Sequence, residues 1–431
     1  MLFKEIDARQ YAALRIAFGA LALFTFLGVA PEAAFYYSDN GWFPLKLAIE
    51  ITNRNEWTIL HSITSPTGVG IFFAVAIAAS LAMTFGFLSR LASWVTFLCI
   101  VSIHSRNWLN TYGGDAVLRL MVFYVALSPS GLAWSIDALV GRFREGAAAL
   151  DRGDRNLERF QRPPGLRMAP VWPLRLIQAQ LCLIYFTTGM AKLHGVDWLN
   201  GNALGLVLLN PIFTRWDFSW IQGNHAFATA IMLMTWVTLA WEVGFPILIL
   251  SRWGRWIAIA IGVGVHGGII TMLQIHWFGY IMIASYICLL PNDLFRRVEV
   301  LARREIRRRL VPRRVRVIYD GDCAFCRRST MLMARLDWFQ KLELIPSDQE
   351  SRWRRHAPSL KPQQLETAMH AVEAVGAKPL AGMDAFCEIG RVVPALLPLR
   401  LAARIPGVRK LGRRWYGQVA RERHCLLPAR R

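Results

Sequence analysis

Residues 315–326 read VRVIYDGDCAFC, and this stretch decides the fold of the C-terminal part of the chain. The apolar, β-branched run VRVIY is typical of a buried strand, and Asp320-Gly321 is a turn signal. We expect a helix to begin near Cys323 and to continue to Trp338. The stretch therefore predicts a strand, a turn and a helix, with two cysteines where the helix begins.

The two cysteines have the Cys-x-x-Cys spacing of a redox pair in a strand–turn–helix setting. Cys323 would lie at the helix N-terminus, where the helix dipole favours the thiolate. Cys326 lies one turn later, where it can close a disulfide on the first sulfur. Arg327 adds positive potential near the pair, whereas Asp320 and Asp322 oppose it. We predict that Cys323 reacts before Cys326.

A zinc site is the alternative interpretation of the same cysteines, because Cys-x-x-Cys is also half of a tetrahedral zinc site. Cys387, His424 and Cys425 are the residues that would complete it. They do not form a second paired knuckle, which favours the redox interpretation. The metal content of purified protein would distinguish the two.

The chain before residue 291 has the composition of an integral membrane protein. Of the 431 residues of the whole chain 54% are hydrophobic, and the mean hydropathy is +0.32. The apolar residues are concentrated before residue 291. The N-terminal MLFKEIDARQ contains two acidic residues and is followed by no small-residue cleavage site, so we expect no cleavable signal peptide. Eight candidate spans can be predicted: 11–30, 69–88, 91–104, 116–134, 175–193, 226–250, 256–272 and 277–290.

The positive charges are distributed unequally between the connecting segments. If the N-terminus is inside, the inner segments carry 23 Lys and Arg and the outer segments carry 4. The positive-inside rule then places both termini in the cytoplasm, as in a multi-pass protein of a bacterial inner membrane. The same clustering accounts for the net charge of +21, so we expect no nucleic-acid partner. The thiols would face the reducing cytoplasm and rest as a dithiol.

A short basic segment follows the last span. In residues 291–314, apolar side chains alternate with arginines, which predicts a basic amphipathic helix on anionic lipid that ends at Pro312. The predicted division is therefore a membrane domain over 1–290, this linker over 291–314 and a third domain over 315–431.

Ionisable residues inside the predicted spans are candidate functional residues, because charge at membrane depth is costly. Lys192, near a span end, is either an anchor that reaches the headgroups or a desolvated base. Arg15 and Arg119 are candidate structural partners of Glu242 or of backbone carbonyls. His266 lies among glycines that allow close helix approach, and a hydrogen-bonded core histidine is the simpler interpretation.

The densest polar stretch, YFTTGMAKLHGVDWLNGNA at 185–203, gathers Tyr185, Lys192, His194, Asp197 and Trp198. Together with HSRNWLNTYGGD, SPSGLAWSID, WEVGFP, GVHGG and HWFGYIM, it resembles the HTTM family, the horizontally transferred transmembrane proteins related to vitamin K-dependent γ-carboxylase. The resemblance covers roughly residues 5–295.

This resemblance implies that Lys192 is a base that deprotonates a reduced quinone, so a quinone or quinol is the expected cofactor of the membrane domain. Glu242 and His266 are the candidates to line the same site beside Trp198, with Glu242 as counter-ion or proton exit.

YDGDCAFCRR also resembles the signature of the DCC family of thiol-disulfide oxidoreductases. The resemblance runs from about 315 to 425 and includes Gly382, the sequence Asp384-Ala385-Phe386 after MHAVEAV, LPLRLAARIPGV and YGQVARERH. It implies a thioredoxin-like fold with Cys323 as nucleophile and Cys326 as resolving thiol. Such a domain requires no cofactor and acts on a disulfide-bearing protein or a small thiol.

We therefore predict an α-helical polytopic membrane bundle of about eight spans, followed by a small α/β thioredoxin-like domain. The leading hypothesis is a membrane-anchored thiol-disulfide oxidoreductase that uses the Cys-x-x-Cys dithiol, with the lipid bilayer as a partner. A second is a quinone-dependent or lipid-modifying membrane enzyme with Lys192 as base. A third is a non-catalytic membrane scaffold whose Cys-x-x-Cys binds zinc.

Overall fold

The computed structural model describes residues 4–52, 58–161, 165–309, 313–374 and 376–426, without the side chains of 52 and 423–426. The chain forms two compact units. The first contains residues 1–138 and 166–295, and the second contains 139–165 and 296–431.

Helices dominate the chain as far as residue 309. In chain order the elements there are β1 Glu5–Asp7, α1 Arg9–Val29, α2 Ala33–Tyr37, α3 Leu45–Thr52, α4 Pro66–Phe85, α5 Ser89–Arg106, α6 Gly113–Leu127, α7 Ile136–Asp151, β2 Met168–Pro170, α8 Trp172–Lys192, α9 Val196–Leu199, α10 Ala203–Leu208, α11 His225–Leu248, α12 Arg252–Met272, α13 Phe278–Ser285 and α14 Asn292–Arg309. Strands β1 and β2 form an antiparallel pair.

Strands alternate with shorter helices in the remainder. The elements are β3 Val315–Tyr319, α15 Ala324–Leu336, β4 Leu342–Pro346, α16 Glu350–Arg354, α17 Pro362–Leu365, β5 His370–Val372, β6 Leu380–Ala381, α18 Met383–Ile389, α19 Leu397–Ala402 and α20 Pro406–Leu426. Short 3-10 helices lie at Ala30–Glu32, Ile59–His61, Trp108–Asn110, Ser130–Leu132, Leu157–Gln161, Ser219–Ile221, Tyr286–Leu289 and Pro394–Leu396. The predicted helix end at Pro312 lies outside the described residues.

The predicted helical bundle is confirmed, and each of the eight predicted spans falls on a helix. Four helical stretches in the described part of the chain are long and apolar enough to cross a membrane: Arg9–Tyr37, Pro66–Phe85, His225–Leu248 and Arg252–Met272. A fifth candidate joins Phe278–Leu289 to Asn292–Arg309 across a bend of 102°. The count of eight spans therefore stays a prediction.

Arg15 on α1 is fully buried in the first unit and is satisfied by backbone carbonyls. Its Nη1 donates to the carbonyls of Met83 and Thr84 at 2.6 Å, which belong to the last turn of α4. Its Nη2 donates to Trp134 O at 2.6 Å and its Nε to Ser130 O at 3.1 Å. The last carbonyls of a helix lack partners within the helix, so this arginine closes the end of α4. Of the two partners expected for Arg15, the structure selects the carbonyls.

The second unit is built on a four-stranded mixed sheet in the order β4-β3-β5-β6. Strand β3 pairs in parallel with β4, and in antiparallel fashion with β5, which pairs with β6. A parallel strand pair needs a crossover, and α15 supplies it. The predicted strand over 315–319 and the helix after it are thus confirmed, within the small α/β domain that was expected.

The core of this unit includes residues from far upstream. Ala149, Leu150, Leu157 and Phe160 are buried together with the sheet and α15. Gly146 on α7 lies so close to Met331 that an added Cβ would stand 2.6 Å from its sulfur. No pattern in the sequence singled out this segment, which connects two predicted spans.

Candidate functional site

The turn between β3 and α15 is held together by Asp320. Its Oδ1 accepts hydrogen bonds from the backbone N–H groups of Asp322 at 3.0 Å and Cys323 at 3.1 Å. This side-chain-to-backbone pattern is the reason that Asp favours such turns. The Gly321 N–H donates to Ser347 Oγ at 3.2 Å, just beyond β4. The DGDC sequence therefore fixes the backbone that presents the first cysteine.

Arg327 braces the same turn from the first turn of α15. Its Nη1 donates to the carbonyls of Gly321 and Asp322, both at 2.8 Å. Its backbone N–H donates to Cys323 O at 3.0 Å and so makes the first helical hydrogen bond. Arg327 is therefore placed as a structural support of the turn as well as a nearby positive charge.

Cys323 and Cys326 are not joined in a disulfide and lie at the N-terminus of α15. Cys323 is 4% exposed, and Cys326 is partly exposed. The two Sγ atoms and a carboxylate oxygen of Asp320 all lie within 4.8 Å of one another. Sulfurs this close can exchange between dithiol and disulfide with small side-chain movements.

The same three groups are also of the kinds that can ligate a metal ion. Within the described residues no fourth His, Cys, Asp or Glu joins them, whereas structural zinc takes four ligands. Cys387 lies on α18 and is not part of the group. The side chains of His424 and Cys425, the other predicted ligands, lie outside the described residues.

The upstream segment of the second unit adds charges beside the thiol turn. Arg155 lies 3.7 Å from Asp322, and Arg328 pairs with Asp151 at 2.5 Å. Both pairs are exposed enough for solvent to weaken them. Burial raises the pKa of the Tyr319 phenol, at the end of β3, and the nearby Asp348 carboxylate raises it further. Sequence reasoning missed Arg155 and Asp151, because no local motif connects them with the cysteines.

In the first unit, the structure brings together Lys192, Glu242 and Trp198. Lys192 Nζ donates to Glu242 Oε2 at 2.6 Å and lies 5.1 Å from the centre of the Trp198 ring. Thr188 Oγ1 donates to the same Glu242 oxygen at 3.3 Å. Gly189 permits this approach of α8 to α11, since a Cβ there would stand 3.1 Å from Glu242 Cβ. Lys192 and Glu242 are therefore in direct contact, and the role of Glu242 as counter-ion or proton exit stays a prediction.

His266 on α12 belongs to a neighbouring buried group of hydroxyls. Its Nε2 lies 2.9 Å from Tyr185 OH, which lies 2.5 Å from Tyr286 OH. Its Nδ1 is buried and has no hydrogen-bond partner among the described residues. The simpler interpretation of His266 as a satisfied core residue therefore holds for one ring nitrogen only.

Aromatic packing joins these two groups into one cluster, which we call the membrane cluster: Tyr185, Thr188, Lys192, Trp198, Trp241, Glu242, His266 and Tyr286. The Tyr185 ring lies 4.6 Å from the Trp241 ring, which precedes Glu242 on α11. Sequence reasoning missed Thr188 and Tyr286, although both occur in predicted spans.

Three other predicted residues take different positions. His194 Nδ1 lies 2.9 Å from Met190 O at an exposed helix end. Asp197 is exposed, and its backbone carbonyl accepts from the Asn202 N–H. Arg119 follows Asp115 by one turn on α6.

Two family models each match one part of the chain. A model of the HTTM domain matches residues 159–293, and a model of the DCC1-like thiol-disulfide oxidoreductase matches residues 317–428. No curated protein and no solved structure matches the chain.

With its apolar helices, the chain has the features of a multi-pass membrane protein that carries a redox domain. More particularly, the family models find an HTTM domain and then a DCC1-like thiol-disulfide oxidoreductase domain, in the predicted order.

Proposed function

We propose that this protein is a membrane-anchored thiol-disulfide oxidoreductase with Cys323 as nucleophile and Cys326 as resolving thiol. The observation that carries the proposal is the position of both sulfurs at the start of α15, within 4.8 Å of each other. The helix N-terminus favours a negative sulfur there, and the short distance allows a second thiol to finish the exchange.

The exchange needs two steps. The Cys323 thiolate attacks a substrate disulfide, forms a mixed disulfide and releases one substrate thiolate, which takes a proton from solvent. The Cys326 sulfur then loses its proton and attacks the Cys323 sulfur. The second substrate thiol leaves, and a Cys323–Cys326 disulfide remains. Two electrons pass from the dithiol to the substrate, and a further thiol reductant must return them.

The proposed location follows from the charge distribution. The 23 Lys and Arg of the inner segments against 4 of the outer segments favour cytoplasmic termini in an inner membrane. The reductant would then be a cytoplasmic thiol, and the substrate a disulfide-bearing protein or small molecule. A C-terminal alkaline phosphatase fusion should be inactive, and a strongly active fusion would contradict this topology.

The experiment uses the full chain in detergent, because part of the redox core comes from residues 149–160. Cys326→Ser should accumulate a mixed disulfide on Cys323, and the trapped partner can be identified by mass spectrometry. Cys387→Ser is the matched control, because Cys387 lies on α18 outside the thiol pair and burial raises the pKa of its thiol. Stoichiometric zinc in the purified protein, or no trapped species, would contradict the redox assignment.

We propose as a second candidate that the membrane cluster deprotonates a weak acid such as a quinol, with Lys192 as base. The favouring observation is the 2.6 Å contact from Lys192 to Glu242, since the carboxylate can hold the lysine proton while the amine acts. Among the described residues His266 Nδ1 has no hydrogen-bond partner, and this nitrogen and the surrounding aromatic rings fit a hydroxyl-bearing ring compound. A quinol bound there would supply the acidic hydroxyl.

A further inference from the structure

The last helix of the chain presents an apolar strip to solvent. Val408, Leu411 and Trp415 on α20 are spaced by three and four residues and therefore lie on one side of the helix. Leu411 is 56% exposed and Trp415 is 66% exposed. Burying such side chains is favourable, and an exposed apolar strip of this kind is typical of an interaction surface.

The opposite side of α20 is already attached to its own unit. Arg409 and Arg413 pair with Asp384 at 2.8 and 2.9 Å. Tyr416 OH accepts a hydrogen bond from the Met369 N–H at 3.0 Å. The Tyr416 ring lies against Gly382, whose φ of +58° and close contact leave no space for a Cβ. These contacts fix the rotation of α20 and keep the apolar strip outward.

Positive charge borders the apolar strip. Lys410, Arg414 and Arg421 are exposed and fall together beside the strip on the helical projection. Residues 397–422 contain seven Lys and Arg but a single acidic residue, Glu422. An apolar strip flanked by cations, with an exposed tryptophan, is the pattern of a helix that lies in a lipid–water interface.

The residues just before α20 are also apolar and exposed. Leu397, Leu399 and Leu401 on α19 are exposed, as is Ile405 between the two helices. We call Val408, Leu411 and Trp415 the lipid face, and the leucines of α19 and Ile405 add exposed apolar surface just before it.

We propose that the lipid face docks on the surface of an anionic bilayer and holds the second unit against the membrane. The apolar side chains would enter the headgroup region, while Lys410 and Arg414 meet lipid phosphates. Helix α14 directly follows the last predicted span, so the continuous chain tethers the second unit to the membrane domain. Such tethering raises the effective concentration of a weak surface contact. This inference does not depend on the redox assignment.

The test places a photocrosslinker on the lipid face of the full-length protein. Trp415→p-benzoylphenylalanine is reconstituted in phosphatidylglycerol vesicles and irradiated, and lipid adducts are counted by mass spectrometry. The control is Gln363→p-benzoylphenylalanine, because α17 packs on the other face of the sheet and Gln363 is exposed. We expect about fivefold more lipid adducts at 415, with most of the excess lost in phosphatidylcholine vesicles or high salt.

A second variant tests the electrostatic part. The double substitution Lys410→Glu and Arg414→Glu reverses two exposed charges away from the Asp384 pairs, and it should lower adducts at 415 about tenfold. Equal adducts at 415 and 363, or adducts unaffected by the charge reversal, would overturn the proposal. Cross-links from 415 to protein instead of lipid in native membranes would also overturn it.

Discussion

The thiol site and the membrane cluster hold their polar groups in opposite ways. At the thiol site, Asp320 and Arg327 bind backbone groups of a turn only a few residues long. In the membrane cluster, side chains bind other side chains that come from α8, α11, α12 and the Tyr286 turn. A local turn survives the loss of one side chain, whereas a buried side-chain network leaves a partner unsatisfied. We therefore expect mutations to separate chemistry from stability at the first site and to couple them at the second.

The largest effect is expected at Cys323. Cys323→Ser should lower the reduction of a model disulfide by full-length protein to the uncatalysed background, because serine cannot supply a thiolate. Melting temperature should stay within about 2 °C, since the turn is held by its backbone contacts. Full activity in both Cys323→Ser and Cys326→Ser would contradict the proposed redox role of the two cysteines.

The second-largest effect is expected at Lys192 in the membrane cluster. Lys192→Ala should remove the quinol-dependent turnover of full-length protein, while disulfide reduction, measured in parallel, stays unchanged. Lys192→Arg should not restore turnover, because a guanidinium keeps its proton at neutral pH. Full rescue by Arg would mean that this position needs only a positive charge, as a headgroup anchor does.

A smaller effect tests the coupling within the buried network. Tyr185→Phe removes the hydroxyl between His266 and Tyr286, and should destabilise the protein by about 1–3 kcal/mol. The measurement is thermal unfolding in detergent, with Tyr280→Phe as the control because Tyr280 is exposed. Equal melting temperatures for both variants would show that the buried network tolerates the loss of one hydroxyl, as the thiol turn is expected to tolerate the loss of one side chain.

The smallest effect is expected at Asp320. Asp320→Asn keeps an oxygen that can accept from Asp322 and Cys323 but removes a negative charge within 4.8 Å of both sulfurs. Loss of this repulsion should speed the alkylation of Cys323 by roughly threefold without unfolding the turn. A marked loss of stability would indicate that the turn needs the carboxylate itself.

The sequence was informative where a structure depends on neighbouring residues. The bounds of β3, the start of α15 and the position of both cysteines follow from a dozen consecutive residues, and the structure agrees with them. Lys192 and Glu242 were predicted to line one site, with Glu242 as counter-ion or proton exit, because charged residues are rare at membrane depth. The role of Tyr286 was not predicted, because a tyrosine in an apolar segment is ordinary until its hydrogen-bond partners are known. The upstream residues of the redox core were missed for the same reason, because only long-range packing identifies them.

Because residues 149–160 belong to the core of the second unit, this core cannot form until β3 and the later strands have been synthesised. Leu157 leaves the ribosome about 160 residues before β3 does, which at ~5–20 residues per second is roughly 8 to 30 seconds. During that interval its apolar neighbours have no sheet to pack against, while later membrane helices are still being made. The second unit therefore depends on residues from both sides of the later helices, and a gene fragment that begins after the last predicted span would lack the part of its core that Ala149, Leu150, Leu157 and Phe160 supply.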